Sequence, residues 1–191
     1  MKTGRLEAFS DGVLAIIITI MVLGMSAPED YTFEALKPIL PVFLTYLLSF
    51  IYIGIYWNNH HHLLQAVNKV NGKILWANLN LLFWLSLFPF ATDWMGKNYF
   101  EANPAAVYGL VLFMAAVAFK IMVHCVIQSE GKDSNIGKVY SKDKRMNLSL
   151  LLYFTGVVVS FFFPVISLLI YLGVALMWIV PDPRIEKTLK E

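Results

Sequence analysis

The sequence contains a single cysteine, Cys125, and it lies in an apolar stretch. An intrachain disulfide and a cysteine-built metal cluster are thereby excluded, and packing is the role expected of it. Charge is scarce as well. Acidic and basic residues make up 15% of the chain against 58% hydrophobic residues, too few for a soluble domain of 191 residues. An integral membrane protein is expected. No GxGxxG, GxxxxGKS/T or GxSxG pattern occurs, nor any paired-carboxylate arrangement, so neither an enzyme nor a bound cofactor is expected. The basic residues stand beside apolar segments rather than in one stripe, which leaves nucleic acid without a surface to bind.

What is abundant is apolar sequence in blocks. Six segments can be drawn, at residues 6–25, 39–57, 74–94, 104–127, 148–163 and 164–180. Together they predict an all-α protein with six transmembrane helices, residues 1–191 forming one membrane domain without repeats or a soluble appendage. Pro164 divides the last two segments, because one unbroken helix there would overrun a bilayer. Pro89 falls inside the third segment and should kink it. Of the 15 lysines and arginines, all but Lys37, Lys97 and the intramembrane Lys120 fall on one side of such an arrangement. That bias places both termini in the cytoplasm. The basic start of the chain followed by an apolar run invites a signal-peptide assignment. Glu7 and Asp11 and the length of the run speak for a retained segment instead. Residues 133–144 read as a flexible polar connector.

The first segment has two sides. As a helix, residues 6–25 would extend roughly 30 Å, the thickness of a bilayer's hydrocarbon core. Advancing ~100° per residue from Ile16 gathers Phe9, Gly12, Ile16, Thr19, Ile20 and Leu23 on one stripe. Asp11 lies well round the opposite side and Ser10 roughly a third of a turn away. The stripe is apolar apart from one hydroxyl and is a candidate pore wall. Ser10 and Asp11, buried polar groups, should hydrogen-bond to some of Asn58, His61, Asn78 and Asn80 at the same depth. A structural network is the expectation for them, ahead of a proton relay. His60, His61 and His62 diverge by ~100° each on a helix and do not share a metal ion readily. Lys120 and His124 are expected to snorkel to the cytoplasmic interface.

Three stretches carry a resemblance: Arg5-x-x-x-Phe9-Ser10-Asp11, then Trp57-Asn58-Asn59-His60-His61, then Asn80-Leu81-Leu82 with Ser86 through Thr92. In these the sequence resembles the transmembrane protein 175 family, the endosomal and lysosomal potassium channels and their prokaryotic relatives. Animal members carry two six-helix repeats and pair as dimers, whereas prokaryotic members carry one and assemble as tetramers. The resemblance therefore implies a homotetramer in a prokaryotic plasma membrane, with four copies of the first helix around a pore for potassium and other monovalent cations. It implies a gate at Ile16, further apolar layers at Ile20 and Leu23, and a contribution of Thr19 to potassium preference. Arg5 is carried over as a motif residue, with anchoring favoured over ion steering.

The implied positions coincide with the stripe found by helical geometry. Neither a TVGYG filter nor a row of arginines for sensing voltage is present, so the expected function is a potassium-selective channel with a hydrophobic gate and no steep voltage dependence. Three rivals differ from it: a proton or weakly selective cation leak through the same pore, a membrane enzyme with a metal at Asp11, His60 and His61, and a scaffold that conducts nothing.

Overall fold

The computed structural model describes residues 3–141 and 143–179, all helix and connecting turns. In chain order the elements are α1 (Thr3–Val22), a 3₁₀ helix (Phe33–Ile39), α2 (Leu40–Gln65), α3 (Gly72–Ser86), α4 (Phe88–Lys97), α5 (Ala102–Glu130), α6 (Asn135–Ser141), α7 (Arg145–Ser160) and α8 (Pro164–Ile179). Three helical stretches, Phe33–Gln65, Gly72–Lys97 and Ala102–Glu130, are long and apolar enough to cross a membrane, while α7 and α8 are shorter apolar helices. The protein is an all-helical membrane protein.

Proline sets two of the breaks. Pro89 has no amide to donate to the carbonyl four residues back, and the third expected segment accordingly divides into α3 and α4 with Leu87 between them. Pro164 opens α8 after the turn Phe161–Phe163, and α7 ends earlier than expected, at Ser160. Other boundaries move for local reasons. The helix expected at residues 6–25 is Thr3–Val22, closed by a turn in which the amides of Leu23, Gly24 and Met25 donate to Ile20, Met21 and Val22. The helix expected to end at residue 57 continues to Gln65, through all three histidines. Asn71 starts α3 two residues before the expected segment, its side-chain oxygen accepting the Ile74 amide at 3.0 Å.

Within the stretch expected to be a flexible connector lies a helix, α6. Ser134 opens α6 by accepting the Gly137 amide on its hydroxyl, and Ile136, Val139 and Tyr140 are buried in the core. Asp143, only 7% exposed, takes the Arg145 guanidinium at 3.0 Å, and that guanidinium lies 4.8 Å over the Trp178 ring. Its polar composition hid three apolar side chains at helical spacing. Lys120, placed at the interface by the sequence, donates to Asn147 of α7 at 2.7 Å.

The centre of the bundle is aromatic. Tyr52, Phe88, Tyr108, Tyr153 and Tyr171, one from each of α2, α4, α5, α7 and α8, stand with neighbouring ring centroids 6.1–6.4 Å apart. The Tyr52 hydroxyl donates to the Tyr171 carbonyl at 2.6 Å and the Tyr171 hydroxyl to the Ala105 carbonyl at 3.3 Å. Tyr171 enters a slot left open by two glycines. A Cβ on Gly109 would stand 1.9 Å from its hydroxyl oxygen, and one on Gly156 would stand 2.3 Å from its ring. Gly109→Ala should therefore cost about 1–3 kcal/mol by overpacking. Tyr171→Phe should recover only part of that loss, because it removes the nearest atom but leaves the ring Cζ at 2.5 Å and Val157 Cγ2 at 2.9 Å from the added methyl. Melting of the two single variants and the double variant in detergent checks this.

Candidate functional site: the free face and the clasped face of the first helix

The buried and free sides of α1 follow its sequence. Leu6, Ser10, Leu14, Ile17 and Met21, spaced by three and four residues, are all buried against α2, α3 and α4. The stripe derived from Ile16 is the side left free: Phe9 is 53% exposed, Ile16 58% and Ile20 48%, with Gly12 and Thr19 also exposed, and Leu23, which the sequence placed on the helix but which lies in the turn just past it, is 76% exposed. Large apolar side chains left about half or more exposed in a row mark a surface that another helix, lipid or an apolar conduit must cover. Thr19 adds a directional group. Its hydroxyl donates to the carbonyls of Ala15 and Ile16, both at 3.0 Å, so its proton is committed to the helix and its lone pairs remain for a cation.

Polar contacts hold the other side at two depths. In the half nearer the start of α1, the Ser10 hydroxyl donates to the Leu6 carbonyl at 2.8 Å and accepts from the Asn78 amide at 3.0 Å. The Asn78 side-chain oxygen lies 2.6 Å from His60 Nε2, which as the protonated nitrogen donates to it. Ser10 and Asn78 are fully buried and His60 nearly so. About 16 Å further along α1 by helix rise, Met21 receives the Thr92 hydroxyl at 3.8 Å from its sulfur. Thr92 lies 2.7 Å from Ser49, and Ser49 lies 2.9 Å from the Tyr108 hydroxyl. Beyond that, Gly24 sits under Asp93, whose carboxylate oxygen would be 2.6 Å from a Cβ there. The end of α1 is thus tucked against α4.

The inner contacts sort the sequence-derived residues. Ser10 and Asn78 come together as expected, but the histidine that joins them is His60. His61 is turned outward, to Gln65 at 2.7 Å and in a stack with Trp57 at 6.1 Å. Asp11 is corrected more sharply. It is exposed rather than buried, and it accepts the Trp57 indole N–H at 3.0 Å instead of joining Ser10. Asn58 and Asn80 are half-buried and outside both networks, with Asn80 in the wall of a groove between α3 and α5. Arg5 is exposed at the start of α1. His60 and His61 point to different partners, and among the described residues no three His, Cys, Asp or Glu side chains are placed to hold a metal ion. The outer contacts of Ser49, Thr92 and Tyr108 were not anticipated. Their only trace in the sequence is a hydroxyl inside each of three apolar segments.

A family model described as endosomal/lysosomal potassium channel TMEM175 matches residues 5–89, the part of the chain that holds α1, the inner network and the start of α4. A potassium channel of Chryseobacterium sp. (strain P1-3) is 56% identical over the whole of both chains. A potassium channel of Streptomyces collinus is 35% identical over 129 residues, 63% of each chain. Among solved structures, the crystal structure of a lysosomal potassium-selective channel TMEM175 homolog from Chamaesiphon minutus superposes with a TM-score of 0.79 at 27% identity, covering 93% of this chain and 96% of that one.

Proposed function

Because this chain belongs to the TMEM175 family, as a prokaryotic member, we propose that it is a potassium-selective cation channel whose conduit forms only when four copies assemble. The observation that carries the proposal is the free face of α1. One chain offers an exposed row of Phe9, Ile16, Ile20 and Leu23, and closure around a four-fold axis turns four such rows into a lining. On this proposal α1, α2, the pair α3–α4, α5, α7 and α8 make six crossings, and both termini lie on the cytoplasmic side of the plasma membrane. The chain works as one membrane domain and not as an enzyme.

Four Ile16 side chains at one level leave a narrow apolar throat, and water withdraws from such a throat when it is closed. Ile20 and Leu23 repeat the restriction one and two turns outward. Thr19, between the first two layers, offers a ring of hydroxyl lone pairs that replaces part of an ion's hydration. Such a ring is a sparser cage than a stack of backbone carbonyls, so selectivity is moderate. Ser10, Asn78 and His60 hold the inner half of each α1 against its own subunit. Asp11, Trp57 and His61 occupy the exposed flank beside the lining, Arg5 stands at its cytoplasmic mouth, and Asn58 and Asn80 lie away from it.

Purified protein in planar bilayers under opposed potassium and sodium gradients should reverse near the potassium equilibrium potential. Currents that instead follow an imposed pH gradient would favour a proton leak. Thr19→Ala should shift the reversal potential toward the sodium value while the current persists. An unchanged reversal potential would take Thr19 out of the selectivity mechanism.

A further inference from the structure

A groove of about 1120 Å³ between α3 and α5 belongs to neither clasp of α1. Two helical stripes form its walls. Lys73, Trp76 and Asn80 are three and four residues apart on α3, and Ile121, Cys125 and Gln128 are four and three apart on α5, so each set faces one way for about two turns. The helices run in opposite directions here. The start of α3 therefore meets the end of α5, putting Lys73 beside Gln128 and Ser129 at one mouth, with Asn80 and Ile121 furthest in.

We propose that this groove is a binding site for an anionic phospholipid of the inner leaflet. The chemistry is ordered as a phospholipid is ordered. The mouth offers the Lys73 ammonium and the Ser129 hydroxyl, whose oxygen accepts the Asn71 side-chain amide at 3.1 Å and whose proton is left to donate, matched to a phosphate, while the Gln128 amide beside them is held 2.9 Å from His124 Nε2. Lys73 is exposed and, among the described residues, engaged by no carboxylate. Glu130, at the end of α5, is already taken by the Asn68 backbone amide at 3.0 Å and side-chain amide at 2.6 Å. Next inward, Trp76 is 75% exposed, an indole at the depth where amphipathic rings settle in a membrane interface. The Asn80 amide follows about 10 Å below Lys73 by helix rise. It is half-buried in a membrane-crossing helix and has no hydrogen-bond partner among the described residues, so an ester carbonyl supplies the acceptor it lacks. Ala77 and Ile121 line the space left for acyl chains. The site goes beyond conduction and takes from the channel proposal only which end of α3 faces the cytoplasm.

The only cysteine of the chain lies in the groove wall and serves as a built-in reporter. Wild-type protein is reconstituted in nanodiscs of phosphatidylcholine alone or with phosphatidylglycerol, and the rate of maleimide addition to Cys125 is read by mass. Phosphatidylglycerol should slow labelling several-fold relative to phosphatidylcholine. Lys73→Glu should weaken that protection about fivefold or more, the effect of losing one basic charge at an anionic surface. Lys73→Arg should keep it. An equal rate in both lipids overturns the proposal, as does full protection in Lys73→Glu. Equal protection in detergent without lipid also overturns it, because a neighbouring copy then fills the groove. Protection by soluble glycerol phosphate overturns it too, since a free phosphate is then the ligand. No current is read, so this result stands or falls apart from the conduction measurements.

Discussion

Replacing Ile16 by asparagine should raise the current of the purified protein in planar bilayers by about tenfold or more at a fixed potassium gradient. The change puts one amide per subunit at the level where the proposed pore is narrowest, and an apolar constriction that excludes water is opened to it by polar groups. A tenfold rise needs a barrier lower by about 1.4 kcal/mol, which is roughly a third of a kcal/mol from each of four side chains. The fold should tolerate the substitution, because Ile16 is 58% exposed and stands outside the buried core of its own subunit. Ile17→Asn is the matched control. Ile17 is 4% exposed on the clasped side of α1, so its replacement should unfold or destabilise the protein and not raise conduction. Equal currents from wild type and Ile16→Asn, with both proteins folded, would remove Ile16 from the gate.

Asn78→Leu should produce the largest loss of stability in the inner network. Asn78 is fully buried and stands between Ser10 at 3.0 Å and His60 at 2.6 Å. Leucine has similar bulk and no hydrogen-bonding group, so two buried polar groups lose a partner at once. His60 Nε2 is left unpaired at about 1–3 kcal/mol, while Ser10 keeps its bond to the Leu6 carbonyl and loses one hydrogen bond at about 0.5–1.5 kcal/mol, so the cost is about 1.5–4.5 kcal/mol, a fall in melting temperature of roughly 3–18 °C for a chain of this size. Asp11→Ala should fall far short of that, because the Asp11 carboxylate is exposed and its single partner, Trp57, is 47% exposed. Melting in detergent, followed by tryptophan fluorescence, ranks the two variants. A melting temperature for Asn78→Leu equal to that of wild type would mean that Ser10 and His60 find other partners.

The face of α1 that carries Ile16 was legible because helix geometry alone fixes which residues share a side, and the free surface of the structure follows the same stripe. Asn78 was legible for a similar reason, as an amide in an apolar segment at the depth of Ser10. The choice between His60 and His61 was not. Adjacent residues on a helix point ~100° apart, and nothing in the sequence of α2 says which of its sides meets α3. Asp11 misled because it follows Ser10 directly. A motif reads as one unit, but its two polar residues part, one inward to Asn78 and the other outward to Trp57. The outer contacts of Ser49, Thr92 and Tyr108 join α2, α4 and α5, helices whose mutual placement is decided by the aromatic core and not by any local pattern. Helix α6 was hidden because Ile136, Val139 and Tyr140 gain their burial from α5 and the rest of the core, so polar composition alone suggested a loose loop.

Charged thiol modification of one position per face tests most directly whether the free side of α1 lines a shared conduit. Ile16→Cys and Leu14→Cys, each in a Cys125→Ser background, are exposed during planar-bilayer recording to a cationic methanethiosulfonate, with adduct formation confirmed by mass. If four α1 helices surround the ion path, the reagent abolishes current through Ile16→Cys and leaves Leu14→Cys unchanged. A modified Ile16→Cys protein that still conducts as before would contradict a pore lined by α1.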